Sequence, residues 1–305
     1  MLSRKQPPVE SLPLRLALNF FQSISLEAGL AIGRTLGSLV YHVLPDRRRI
    51  GLINLQLAFG DELDLKERKA ILKRMWQHYG CSLVEFFRFP LIEQENLDRH
   101  VEWQGFEHLQ HSVAAGRGTL VLTAHVGNWD LLALATGIRV KPVGLVAKTL
   151  SSSFWNHFLV GQRMEAYVHS FLKKNSIRGI IRSLRSNGIV GMVADQDAME
   201  TDGRVFVDFF GRKASTISSV AVLSQRLDLP VLPMFDIRGP RGKHRIIVFP
   251  PLHFEKQGSL EEGIAHNTRR YQEVLEQVIR RHPEQWNWIH RRWKRRPPGE
   301  DPIYD

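Results

Sequence analysis

The stretch His125-Val-Gly-Asn-Trp-Asp130 sets an imidazole and a carboxylate five positions apart. A carboxylate that accepts a hydrogen bond from one ring nitrogen of a histidine fixes the tautomer and leaves the other nitrogen free to take a proton from an alcohol. Gly127 and Asn128 tolerate unusual backbone angles, so the chain can curl and bring Asp130 back toward His125. No serine or cysteine stands within the motif, which points to direct attack by a His-activated hydroxyl rather than a covalent intermediate on the protein. With 13 histidines in the chain the spacing alone is weak, so its setting has to carry the argument.

That setting is a strand end. Residues 119–124, Thr-Leu-Val-Leu-Thr-Ala, form an apolar β-rich run between Gly116 and Gly118 on one side and Gly127-Asn128 on the other. Reactive groups in open α/β sheets collect outside the carboxyl ends of strands, where His125 would stand. The same grammar continues with strands at 143–147, 189–194, 230–237 and 245–249. Helices are expected at 154–167, 177–185, 217–227 and 260–281, preceded by a helical block over 51–90. This alternation predicts an α/β fold with a mixed, largely parallel sheet flanked by helices. Residues 51–305 are expected to form the domain that holds the chemistry, and residues 1–50 a helical, membrane-associating N-terminal extension with a basic cluster.

In that extension the apolar stretch 12–44 is interrupted by Arg15, Glu27 and Arg34, and its uncharged runs fall short of the ~18 residues of a clear spanning helix. An interfacial or weakly inserted helix fits the pattern. Pro45 leads into Asp46-Arg47-Arg48-Arg49 rather than from a small-residue cleavage site into a polar start, which argues against a secretory signal. Arg47, Arg48 and Arg49 beside an apolar helix suit an anionic membrane face; a core helix followed by a solvated charge run is the plainer reading.

Composition narrows the partners. The chain carries 42 Lys and Arg against 31 Asp and Glu, a net charge of +11, which implies an anionic partner: nucleic acid, phospholipid or an acidic carrier protein. Hydrophobic residues at 43% exclude a disordered or fibrous chain, and the single Cys81 excludes disulfide frameworks, CxxC redox motifs and zinc ribbons. GxGxxG after a strand, GxxxxGK[ST], HExxH and GxSxG are all missing. Neither a metal nor an organic cofactor is required by the expected reaction.

The dyad motif, together with four further stretches, resembles the bacterial late acyltransferases of lipid A biosynthesis, members of the wider HxxxxD/E glycerolipid acyltransferase group. The stretches are Asn54-Leu55-Gln56-Leu57-Ala58-Phe59, Ala194-Asp195-Gln196-Asp197, Val205-Phe206-Val207-Asp208-Phe209-Phe210-Gly211-Arg212, and Pro283-Glu284-Gln285-Trp286-Asn287-Trp288-Ile289-His290-Arg291-Arg292-Trp293-Lys294. The resemblance runs over almost the whole chain. It implies transfer of a fatty acyl group from an acyl-carrier-protein thioester, or from coenzyme A, to a hydroxyl of an anionic membrane glycolipid. The implied place is the cytoplasmic face of the inner membrane, with the protein peripheral or single-pass. His125 would be general base, Asp130 its orienting partner and Arg163 the donor that stabilises the oxyanion, with Lys148 as the rival for that last role.

The remaining site expectations are substrate contacts. Asn128 and Trp129 lie inside the motif, and Asp195 and Gln196 end another strand and should reach the same crevice. Phe209, Phe210, Gly211 and Arg212 combine aromatics with a cation, suited to an acyl chain beside a phosphate or, equally, to a core pair beside a surface arginine; Thr216 could add a hydroxyl. Trp286, Trp288 and Trp293 amid basic residues read as a membrane-interface belt. Such patches also bind single-stranded nucleic acid, but no nucleic-acid-binding motif accompanies this one, and nucleic acid is not expected as a partner. Other lipid acceptors, such as a lysophospholipid, an ornithine lipid or a phosphatidylinositol mannoside, and more remotely a non-catalytic binding protein, are the alternatives.

Overall fold

The computed structural model describes residues 12–147, 167–172 and 176–304. Four long helices come first: α1 (Leu12–Ser23), α2 (Leu26–Val43), α3 (Pro45–Phe59) and α4 (Leu65–Arg88). The α/β part follows as α5 (Leu97–His100), β1 (Val101–Gln104), α6 (Phe106–Ala114), β2 (Thr119–Thr123), α7 (Trp129–Arg139), β3 (Val143–Ala147), β4 (Val168–Leu172) and α8 (Ser176–Arg185). It continues with β5 (Ile189–Val193), β6 (Arg204–Phe209), β7 (Arg212–Ile217), α9 (Ser219–Leu227), β8 (Val231–Arg238), β9 (His244–Val248) and α10 (Leu260–Arg281). Seven strands form one sheet in the order β1-β9-β8-β2-β5-β3-β4, while β6 and β7 pair separately as a hairpin. All neighbours in the large sheet run parallel except β8 and β9.

Helix ends obey local chemistry. Asp64 and Glu67 close a capping box on α4, and Ser259 and Glu262 close one on α10, each pair satisfying orphan backbone donors. The stretch 12–44 is two helices rather than one, broken where Ser25 leaves helical geometry and caps α2 by accepting from Ala28 N–H. No helix among the described residues is long and apolar enough to cross a membrane. Strand expectations at 119–124, 143–147, 189–194, 230–237 and 245–249 match β2, β3, β5, β8 and β9 within a residue at each end. The expected helix 154–167 falls outside the described residues but for Tyr167.

Central β2 is buried along its whole length, with Leu120 and Leu122 on one face and Val121 on the other. The first face packs against α9 and α10 through Val220, Leu223, Tyr271 and Leu275; the second packs under α7 through Leu131 and Leu134. Helix α2 lies directly on α4, so close that a Cβ on Gly80 would sit 1.9 Å from Gly33 O. Asn54 of α3 donates from Nδ2 to Trp288 O at 2.6 Å and His290 O at 2.7 Å, tying the helical block to the C-terminal segment.

That segment overturns one expectation. Trp286, Trp288 and Trp293 are at most 1% exposed and make no membrane belt. Their rings pack with Phe59, Phe209 and Phe210, and two of the indole N–H groups find protein acceptors, Trp286 on Asp195 Oδ2 and Trp288 on Pro283 O. Burying an indole with its N–H satisfied gains a large apolar area at no cost in hydrogen bonding. Arg292 among them is fully buried too. It donates to Ser215 O at 2.6 Å, Thr216 Oγ1 at 2.6 Å and Gln272 Oε1 at 3.2 Å.

Candidate active site

Strands β2 and β5 are adjacent and parallel with Thr123 opposite Val193, and Ala194 N–H donates to Thr123 O at 3.1 Å. The chains therefore leave the sheet side by side, and His125 emerges next to Asp195. Asp195 Oδ1 accepts from His125 Nδ1 at 2.7 Å, and its Oδ2 accepts both the His125 backbone N–H at 2.9 Å and Trp286 Nε1–H at 2.7 Å. Three donors converge on one carboxylate that is 1% exposed, while the His125 side chain keeps 22% of its surface open. Gln196 Nε2 lies 3.3 Å from both ring nitrogens, and Trp129 meets the ring edge-to-face at 4.8 Å.

The electrostatics follow from that geometry. Burial pushes the Asp195 carboxyl up, but the His125 charge and the donated hydrogen bonds outweigh it and bring it down from 3.8 to about 2. Burial likewise pulls the His125 imidazole down, and Asp195, with Asp130 further behind, more than reverses this and leaves it raised. With Nδ1–H committed to the carboxylate, Nε2 is the proton-accepting atom.

The sequence expectation gave that Nδ1 hydrogen bond to Asp130; it goes to Asp195, 70 residues away. Register explains the difference. Two adjacent parallel strands deliver His125 and Asp195 at one level, while Asn128 has already capped α7 through Leu131 N–H, which places Asp130 in the first helical turn. Asp130 acts on the imidazole through its charge.

Other expected contacts divide. Gln196 and Trp129 are at the imidazole. Asn128 is buried and tied to Glu85, Asp236 and Leu131, so its polar atoms face the protein rather than a substrate. Phe209 and Phe210 are core residues, 0% and 6% exposed, packed edge-to-face on one another and on the tryptophans rather than lining an acyl groove. Gly211 turns the β6–β7 hairpin with φ 69°, and exposed Arg212 donates to Leu57 O. Thr216 is fully buried and accepts from Arg292, so its hydroxyl is not offered to a ligand. Lys148 and Arg163 lie outside the described residues. Arg47 and Arg49 stay exposed, and Arg48 lies over the Tyr41 ring at 5.4 Å.

Two contributors carry no linear signal for their role. Trp286 donates to the Asp195 carboxylate and steadies it, and Gln272 donates to Ala194 O at 3.0 Å, holding the turn that presents Asp195. The motif Ala194-Asp195-Gln196 at a strand end was the readable cue. Among the described residues no group of three or more His, Cys, Asp and Glu side chains is placed to hold a metal ion.

A histidine and a carboxylate at the carboxyl ends of neighbouring parallel strands of an α/β fold form a pair chemically suited to proton abstraction. The profile of the family described as bacterial lipid A biosynthesis acyltransferase matches residues 22–295, and the chain belongs to that family of acyltransferases. It is 27% identical over 276 residues to the lipid A biosynthesis lauroyltransferase of Escherichia coli (strain K12), covering 90% of this chain and 87% of that one. It is 26% identical over 226 residues to the phosphatidylinositol mannoside acyltransferase of Mycobacterium tuberculosis (strain ATCC 25618 / H37Rv), covering 71% and 68%. The solved 1-acyl-sn-glycerophosphate acyltransferase of Thermotoga maritima aligns with a TM-score of 0.38 at 14% identity, covering 84% of this chain and 99% of that one.

Proposed function

We propose that this acyltransferase moves a fatty acyl group from an acyl-carrier-protein thioester to a hydroxyl of a lipid A precursor, with His125 as general base and Asp195 as the group that orients it. The observation that carries the roles is the 2.7 Å contact between His125 Nδ1 and Asp195 Oδ1. Nε2 takes the proton of the acceptor hydroxyl as its oxygen attacks the thioester carbonyl. The tetrahedral intermediate then collapses, breaking the carbon–sulfur bond, and the imidazolium returns the proton to the departing thiolate. Asp130 adds negative charge that favours the imidazolium. Arg163, with Lys148 as the alternative, supplies the cationic donor to the developing oxyanion, a role worth ~3 kcal/mol in comparable sites.

Membrane access is proposed through α1 and α2. Leu12, Leu16, Phe20, Leu36, Leu39, Val43 and Leu44 are exposed there, followed directly by the arginines at 47–49. An apolar helical face bordered by cations supports peripheral attachment to an anionic leaflet, here the cytoplasmic face of the inner membrane. The carrier protein, itself acidic, is matched by the +11 chain.

Similarity to a phosphatidylinositol mannoside acyltransferase favours a second acceptor class, glycosylated phosphatidylinositol. Radiolabelled transfer from acyl-carrier-protein and coenzyme A thioesters to a tetra-acylated lipid A precursor, a lysophospholipid and a phosphatidylinositol mannoside separates the readings. Turnover with the lipid A precursor and carrier thioester, abolished in His125→Ala, is the expected result; turnover only with another acceptor reassigns the substrate, and turnover surviving His125→Ala rejects the base.

A further inference from the structure

The turn that follows His125 is held at Gly127 and Asn128 by four residues distant in sequence. Gly127 N–H donates to Gln285 O at 3.0 Å, and Gly127 O accepts from His78 Nε2 at 3.0 Å. Asn128 N–H donates to Asp236 Oδ2 at 2.8 Å, and Asn128 Nδ2 donates to Glu85 Oε2 at 2.8 Å. Glu85 and Asp236 come from different elements, α4 and β8, and the proton chemistry proposed above uses neither.

One residue joins them. His244, 2% exposed at the start of β9, hydrogen-bonds Asp236 Oδ2 from Nδ1 at 2.7 Å and Glu85 Oε1 from Nε2 at 2.9 Å. A carboxylate oxygen only accepts, so each ring nitrogen must carry a proton, and the imidazole is cationic. Arg238 completes the cluster, donating to Glu85 from Nε at 2.8 Å and Nη2 at 2.5 Å, to Ser82 Oγ at 2.9 Å and, from Nη1, to His78. Two carboxylates thus face two cations, and the buried charge closes only while His244 holds both protons. Replacing such a network with apolar residues of like volume is often neutral or stabilising, so stability alone is a poor reason for it. What the network does supply is geometry: the same two carboxylates that His244 bridges hold the two donors of Asn128.

We infer that His244 is a positioning residue for His125, a strut that sets the spacing of Asp236 and Glu85 and thereby fixes the turn carrying the general base. The inference rests on the proposed role of His125. Its physical basis is that a misplacement of about 1 Å at a catalytic group can lower the rate about 100-fold. Gly127 makes the coupling tight, since a Cβ there would stand 1.7 Å from Asp236 O.

Two variants and two readouts test it. In His244→Gln only one end of the side chain can donate, so one carboxylate is released; kcat is expected to fall about 100-fold with KM little changed. In histidine-labelled protein, the NMR titration of His125 is expected to move down toward the ordinary histidine value as its fit to Asp195 loosens. Asn128→Ser keeps the helix cap but not the donor to Glu85, and in that background His244→Gln should lose less than it does alone. If His244→Gln does not fold, His244→Gly with added imidazole replaces it. The pocket bordered by Glu85 and His244 adjoins the space that the deleted side chain vacates, and the activity should return with added imidazole. Wild-type rate with an unmoved His125 titration in His244→Gln overturns the inference, as does additivity with Asn128→Ser. The two readouts also separate the failures: no acyl transfer by the wild type to any acceptor rejects the proposed function, whereas the His125 titration judges the strut without a substrate.

Discussion

Replacing Asp195 by asparagine exchanges one oxygen for an NH₂ and reverses the hydrogen-bonding sense at His125. In the native site Oδ2 accepts two N–H groups and Oδ1 accepts a third, from Nδ1. An asparagine can satisfy the two backbone and indole donors only by pointing its carbonyl at them, which turns its own NH₂ toward Nδ1. Nδ1 must then accept, the ring proton moves to Nε2, and the atom that should take the substrate proton already holds one. The wrong tautomer in a comparable His-carboxylate site lowers kcat on the order of 10⁴-fold. The fall of Asp195 from 3.8 to about 2 corresponds to roughly 2 kcal/mol of preference for the ionised carboxylate beside His125, which the variant also forfeits. Single-turnover transfer from a labelled acyl thioester measures the loss, with circular dichroism and melting to establish that the variant is folded. Asp130→Asn, which removes a charge but leaves the Nδ1 contact in place, is expected to lose less. Folded Asp195→Asn active to within about tenfold of wild type, or equal losses in the two variants, would refute Asp195 as the group that sets the tautomer.

Stability carries a pH signature from the strut. His244 is raised to about 9 against burial by Asp236 and Glu85, with Arg238 and His78 completing its surroundings, so its contribution of roughly 3 kcal/mol is complete below the ordinary histidine value near 6.5 and fades as pH rises through about 9. Melting temperature should fall across that window in the wild type and stay flatter in His244→Gln. Gly127→Ala forces a side chain onto a residue at φ 61° against Asp236 O; a cost of at least ~1–2 kcal/mol in melting experiments and a kcat loss of about 100-fold are expected. At the N-terminal helices, Leu39→Glu and Val43→Glu, at positions 58% and 68% exposed, should leave melting unchanged yet abolish sedimentation with anionic vesicles, while Arg47→Gln weakens it by ~1 kcal/mol.

Much of the architecture is legible along the chain because it is local. The β-rich run at 119–124 and those at 143–147, 189–194, 230–237 and 245–249 are bounded by turn residues, and the caps Asp64 and Ser259 stand where α4 and α10 begin. Strands β1 and β4 and the β6–β7 hairpin are less legible, since they are short or lie apart from the βα alternation. The break at Ser25 is likewise local, yet an apolar period running through it conceals it.

The histidine could be found from one strand and the glycine after it. Its partner could not be chosen, since Asp130 is near in sequence and Asp195 is near only because β5 was inserted beside β2 with Thr123 opposite Val193. The same reason governs the tryptophans: a Trp among arginines reads as interfacial from composition, but the partners that bury Trp286, among them Asp195 and Phe209, lie 77 to 91 positions earlier in the chain. His244, Asp236 and Glu85 show no spacing that marks them as a unit, because α4, β8 and β9 meet only once the sheet has formed. Sequence by itself determined most of the βα alternation, the candidate histidine and the strand end on which it stands; strand order and register, which depend on contacts between distant segments, decided which carboxylate pairs with it and which buried charges surround its turn.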